Sequence, residues 1–153
     1  MSRIEQRLIE LGFPLPEVAK PVAAYVPSVI TGNLCFTSGQ LPFVNGALPA
    51  AGKVGRDLTG EEAKDLARLC ALNALAALKL AIGDLDRVTR IVKVVGFVSV
   101  VPEFTAIPAV MNGASEFLGE VFGEVGVHAR SAVGVPALPL DSAVEVELIA
   151  EFA

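Results

Sequence analysis

Residues Thr59 to Gly83 spell a helix that has to be covered on more than one side, and this requirement constrains the fold more than any other feature of the chain. Thr59-Gly60-Glu61-Glu62 has capping-box spacing: the threonine hydroxyl can accept from the third helical N–H while the glutamate reaches back to the cap. Ala63, Leu66, Ala67, Cys70, Ala74, Ala77, Leu78 and Ala81 then recur at intervals of three and four, and Gly83 supplies a stop. Leu69, Leu72, Leu75 and Leu80 widen the apolar surface well beyond one stripe.

The segments around it can supply the cover. Ser2-Arg3-Ile4-Glu5 repeats the capping-box spacing, and Ile4, Leu8 and Leu11 share a face, so a short helix is expected to end before Pro14, within an N-terminal extension of about residues 1–18. Tyr25 to Gln40 holds two β-rich runs around Gly32-Asn33, a hairpin signal. Phe43 to Asp57 is punctuated by Gly, Pro and Asn and reads mainly as loop, with room for one short strand. Val88 to Val101 reads as a largely buried strand. Glu103 to Phe122 returns to helical spacing, with Pro108 tolerable only in the first turn. Ala129 to Val135 and Ala143 to Phe152 read as closing strands. This order predicts one α+β domain over 1–153, a two-layer sandwich with two helices on one face of a mixed sheet.

Composition narrows the function classes. A hydrophobic fraction of 53% and a mean hydropathy of +0.60 exclude disorder and are economically explained by an oligomer interface. With 12 Lys+Arg against 17 Asp+Glu the net charge is −5, so there is no basic footprint for nucleic acid. Residues 21–52 carry no charge, but four Pro and four Gly interrupt them, leaving no span of about 20 apolar residues for a membrane helix. The charged N-terminus has no apolar core of a signal peptide, and a soluble, cytoplasmic protein is expected. Cys35 and Cys70 sit in apolar runs without metal-ligand spacing and read as reduced, packed thiols.

Chemistry concentrates near the C-terminus. Arg130 heads an apolar strand, where a guanidinium is a fixed fork able to take a carboxylate bidentately. On the last strand Glu145, Glu147, Ile149 and Glu151 alternate with Val144, Val146, Leu148 and Ala150, which puts the acids on one face. The short Pro-rich connection predicts that the two closing strands are neighbours, bringing Arg130 and Glu145 toward one cleft as a carboxylate anchor and a proton-transfer group, or as a structural ion pair. His128, the only histidine, lacks ligand-spaced partners and reads as structural. Ser38 and Ser131 lack nucleophile-elbow context, and neither Gly39-Gln40-Leu41-Pro42 nor Gly52-Lys53-Val54-Gly55 has phosphate-loop spacing. No cofactor or metal is indicated.

Three ordered blocks carry a resemblance. Tyr25-Val26 with Gly32-Asn33 and Thr37-Ser38-Gly39-Gln40, then Asp84-Leu85-Asp86-Arg87-Val88 with Val92-Lys93-Val94, then Ala129-Arg130-Ser131 through Leu138-Pro139 and Val144-Glu145-Val146-Glu147, resemble the RidA/YjgF family of enamine/imine deaminases over roughly Lys20 to Phe152. The resemblance implies a chorismate-mutase-like α+β fold, a homotrimer with clefts between subunits, and hydrolysis of reactive enamines and imines to 2-keto acids and ammonia without a cofactor. It also implies that Arg130 grips the substrate carboxylate and that Glu145 positions water and handles protons. Tyr25, Ser38, Gly39, Asn112 and Ser131 are implied as pocket residues. Ala132 stands where many deaminating members carry Cys, and the N-terminal helix with the 43–57 connection points to a longer branch. The alternatives are a non-catalytic trimer that binds a small carboxylate or keto acid, and an endoribonuclease, which the negative charge disfavours; a chorismate mutase would need more than one converging cation.

Overall fold

The computed structural model describes residues 1–20 and 23–153. Its elements run α1 (Arg3–Glu10), β1 (Ser28–Thr31), β2 (Leu34–Thr37), α2 (Gly60–Ile82), β3 (Val88–Ser99), α3 (Ile107–Phe122), β4 (Ala129–Val135) and β5 (Val144–Phe152). The strands form one mixed sheet in the order β1-β2-β5-β3-β4, in which only β3 and β4 are parallel. Helices α2 and α3 pack on each other and on one face of this sheet, giving the expected two-layer α+β sandwich. No helix among the described residues is long and apolar enough to cross a membrane.

The core sits between the layers. Helix α2 buries Leu66, Cys70, Leu75 and Leu78, and α3 buries Met111, Phe117 and Leu118, against Ile91, Val94 and Val98 of β3 and Val144, Val146 and Leu148 of β5. The helices approach so closely that a Cβ on Gly113 would collide with the Lys64 carbonyl. Gly96 likewise leaves β3 bare where Met111 lies on it.

Both capping boxes form: Ser2 Oγ accepts from Glu5 N at 3.1 Å and Thr59 Oγ1 from Glu62 N at 3.1 Å, each glutamate returning to its cap. Helix α1 gains a second cap from outside, because Asp86 accepts from Arg3 N and Ile4 N, each at 2.9 Å. Phe13 then meets Phe117 edge-on at 5.5 Å, so the N-terminal extension is packed onto α3. The 43–57 connection forms isolated bridges at Val44–Ala47 and at Val54, which pairs with Leu58 and Val100, in place of a regular strand. Helix α3 starts at Ile107, four residues after Glu103, with Pro108 in its first turn.

One expectation is corrected. Strands β4 and β5 are not neighbours, because β3 lies between them. Chain connectivity explains this. The β3–α3–β4 crossover lays β4 parallel along one edge of β3, and the short Pro136–Ala143 connection then passes the end of β3 to place β5 on its other edge. Lys53 Nζ holds that passage by donating to the Pro136 carbonyl and to Ser99 Oγ, and Gly52 N donates to Asp141 O at 2.7 Å.

Candidate functional site

The register places Arg130 and Glu145 on opposite faces of the sheet. Arg130 pairs with Val94, which pairs with Leu148, a row that points into the helical layer. Glu145 pairs with Phe97, which pairs with Val133, a row on the face that α2 and α3 leave open. Two strand spacings and three residues of rise separate their Cα atoms by roughly 14 Å. One chain therefore carries two separate candidate half-sites.

The first is built around Glu145. Immediately after β2, Gln40 exchanges backbone hydrogen bonds with Val146, N to O at 2.8 Å and back at 3.0 Å, and this clamps Gly39 against the start of β5. The space a side chain would fill at residue 39 is taken by the glutamate: a Cβ there would lie 2.6 Å from Glu145 Oε1. Tyr25, Lys20, Pro27, Leu41, Phe43 and Pro139 complete a cleft of about 50 Å³. A broader groove of about 640 Å³ continues from it past Ala19, Lys20 and Phe43. Asn73, buried in the middle of α2, holds the cleft wall by donating from Nδ2 to Leu41 O at 2.9 Å and Phe43 O at 3.1 Å. Burial, and secondarily the charge of Glu147, pushes the Glu145 carboxyl above its ordinary pKa. A carboxyl so placed can exchange protons closer to neutral pH than an exposed one.

The second is built around Arg130, on the helical face of β4. Its Nη1 donates to Asn112 Oδ1 at 2.9 Å and Ser115 Oγ at 3.1 Å, and Nη2 reaches Pro108 O at 3.4 Å, all on α3. Among the described residues these are its hydrogen bonds. They hold the guanidinium through Nη1 and Nη2, while Nε makes no hydrogen bond among the described residues; a guanidinium is a fork whose geometry matches a carboxylate. Ser115 Oγ in turn lies 2.9 Å from His128 Nε2, and His128 Nδ1 lies 2.6 Å from Gly126 O.

Of the residues singled out from sequence, Tyr25, Gly39 and Glu145 meet in the first half-site, and Asn112 joins Arg130 in the second. Ser38 adjoins Gly39, but its hydroxyl donates to Val26 O at 2.5 Å and ties the hairpin base to the preceding segment. Ser131 pairs with Val95 on the open face, exposed and away from both half-sites. Sequence reasoning missed Asn73, although a lone amide inside an apolar helix is a signal for a buried hydrogen-bonding task. It also missed Ser115, which lies one helical turn after Asn112 and so shares its face.

Comparison with known proteins identifies the family and the fold. A family model described as "YjgF/chorismate_mutase-like, putative endoribonuclease" matches residues 5–152. Protein TCP17 of Trypanosoma cruzi is 45% identical over 151 residues, covering 98% of this chain and 94% of its own length. The 2-iminobutanoate/2-iminopropanoate deaminase of Escherichia coli K12 is 33% identical over 129 residues, 84% of this chain and 88% of that protein. The crystal structure of Atu1372 from Agrobacterium tumefaciens, a protein of unknown function, superimposes with a TM-score of 0.92 at 48% identity, covering 98% of this chain and 92% of that one. With the family model spanning nearly the whole chain and the same sandwich in the solved relative, the protein belongs to the YjgF/RidA family and has its chorismate-mutase-like fold.

Proposed function

We propose that the protein hydrolyses small 2-imino acids, and their enamine tautomers, to 2-keto acids and ammonia. The observation that carries this reading is Glu145: a half-buried carboxyl with a raised pKa, in a small cleft beside Tyr25 and Gly39. Arg130, held by α3 through Nη1 and Nη2, is suited to the substrate carboxylate. The deaminase relative from E. coli supports the reaction class.

The chemistry asks little of the protein. An iminium carbon is already electrophilic, so orientation and one proton shuttle are enough. Ionised Glu145 takes a proton from the water that adds to C2 and gives a carbinolamine. It delivers that proton to the nitrogen, which leaves as ammonia as the C–N bond breaks. The hydroxyl proton passes to Glu145 and then to solvent as the keto group forms.

Because the two half-sites lie on opposite faces, a complete site requires the Arg130 face of one protomer to meet the Glu145 cleft of another. A cyclic homotrimer with three inter-subunit sites does this through a single heterologous interface. Val29, Phe36 and Val133, which line the open sheet face and are 56%, 39% and 46% exposed, support its burial in such an assembly. The endoribonuclease in the family's description is disfavoured, since a net charge of −5 offers little to neutralise phosphates.

The test is release of ammonia and keto acid from freshly generated 2-iminopropanoate and 2-iminobutanoate, wild type against Arg130→Ala. Acceleration by the wild type that falls by about 100-fold in kcat/KM in the variant is expected, the loss of a charge-assisted bidentate contact. No acceleration, with 2-oxobutanoate still bound, would instead mark a non-catalytic binding protein.

A further inference from the structure

We propose that His128, acting through Ser115, is a positioning residue that fixes the guanidinium plane of Arg130 for the substrate carboxylate; the inference rests on the deaminase reading above. The directions of the hydrogen bonds carry it. The Gly126 carbonyl can only accept, so His128 Nδ1, 2.6 Å away, carries the ring hydrogen. In the neutral imidazole Nε2 is then the acceptor, and at 2.9 Å it takes the single hydrogen of the Ser115 hydroxyl. With that hydrogen committed, the Ser115 oxygen turns its lone pairs toward Arg130 Nη1, which donates to it at 3.1 Å. Hydrogen bonds thus run head to tail from Arg130 through Ser115 and His128 to the backbone of Gly126, each polarising the next.

The far end of this chain is rigid. Gly126 is buried in the 3-10 turn Gly123–Gly126, and even a Cβ there would press on the Leu118 carbonyl. Asn112 Oδ1 and Ser115 Oγ, one helical turn apart on α3, both hold Nη1, so two fixed points set the plane of the guanidinium. Without His128 the Ser115 hydroxyl is free to donate to the carbonyl four residues earlier, the usual choice of a helical serine, and its lone pairs swing away from Arg130. Arg130 would then keep its charge and lose its aim. His128 never touches the substrate, and a carboxylate is bound alike in ground and transition states, so the effect belongs in KM.

The test compares the full-length wild type with His128→Leu, Ser115→Ala and His128→Gln, whose amide oxygen can replace Nε2 as acceptor. With 2-iminobutanoate, H128L and S115A are expected to raise KM by about tenfold with kcat within about twofold, while H128Q stays within about threefold of wild type in both. A spectroscopic arm reads the positioning without turnover. The Arg130 Nη protons, assigned by their loss in Arg130→Ala, are expected to be separately resolved in wild type and H128Q and averaged in H128L. An unchanged KM and unchanged arginine signals in H128L would overturn the proposal, and so would damage in H128Q equal to that in H128L. Wild-type protein that neither turns over imines nor binds 2-oxobutanoate would sink the deaminase reading instead, and the arginine signals would still decide whether His128 holds Arg130.

Discussion

At the residue scale the cleft turns on a missing side chain. Gly39 matters because the Glu145 carboxyl occupies the volume a Cβ would need, at 2.6 Å from Oε1. The obstructing atom is the end of a flexible side chain, so Gly39→Ala is expected to displace the carboxyl at a cost of less than about 1 kcal/mol in folding while lowering kcat/KM by roughly 10–100-fold. Denaturant titration beside steady-state kinetics separates the two effects, and a loss of stability that matches the loss of activity would refute the assignment. Glu145 gives a second prediction, with a definite sign. Its folded pKa is raised by burial, so its contribution to stability is fully present below the unfolded carboxylate value and is lost as pH rises through the folded one. Glu145→Gln should therefore raise the melting temperature near neutral pH and not in acid, while lowering kcat by roughly 10²–10⁴-fold. In the wild type the acid limb of kcat/KM should fall at a pH above the ordinary glutamate value; a limb at the ordinary value would remove Glu145 from the proton transfer. That Arg130 heads a strand and that Glu145 lies on an alternating one was legible in the sequence. Their placement was not. A one-residue change of parity decides the face of a strand, and the connection between two strands does not reveal a third lying between them.

At the scale of elements, the sequence was most informative where hydrogen bonding is local. Both capping boxes were readable from Ser2–Glu5 and Thr59–Glu62 because cap and helix are separated by three residues. The second cap on α1 was not, since Asp86 lies more than 80 positions away. Burial works to raise the Asp86 pKa, but the N–H groups of Ile4 and Arg3 outweigh it and the net shift is downward. Its contribution is present above the unfolded aspartate value and is lost as pH falls through the lowered one. Asp86→Ala should loosen α1, costing about 1 kcal/mol after allowance for solvent exposure and speeding amide exchange at residues 3–10. Unchanged exchange there would show that Phe13 on Phe117, with the Ser2 cap, suffices. The crossing of α2 and α3 is less forgiving. A Cβ at Gly113 meets backbone, the Lys64 carbonyl, which cannot turn aside as a side chain can. Gly113→Ala is expected to destabilise by about 1–3 kcal/mol, read as a lower denaturation midpoint with an unchanged slope. Helical spacing identified both helices, but how closely they approach depends on a partner surface that no local pattern encodes.

At the scale of the whole molecule, the proposed trimer would account for the apolar composition and the separation of Arg130 from Glu145 together. On the proposed function, a sheet face that exposes Val29, Phe36 and Val133, and a Glu145 carboxyl on the opposite face from Arg130, are both accounted for by a second copy of the chain. Light scattering should give a mass near three times the 15.9 kDa chain at micromolar concentration. A decisive experiment mixes two impaired variants and assays them at substrate well below the wild-type KM. Arg130→Ala and Glu145→Gln chains are unfolded together in equal amounts and refolded, and imine hydrolysis is compared with that of each variant refolded alone. If Arg130 of one subunit completes the Glu145 cleft of the next, about a quarter of the sites regain both wild-type groups, and activity should return to about a quarter of the wild-type value. Activity that stays at the level of the separate variants, in oligomers shown to be mixed, would contradict a site shared between subunits.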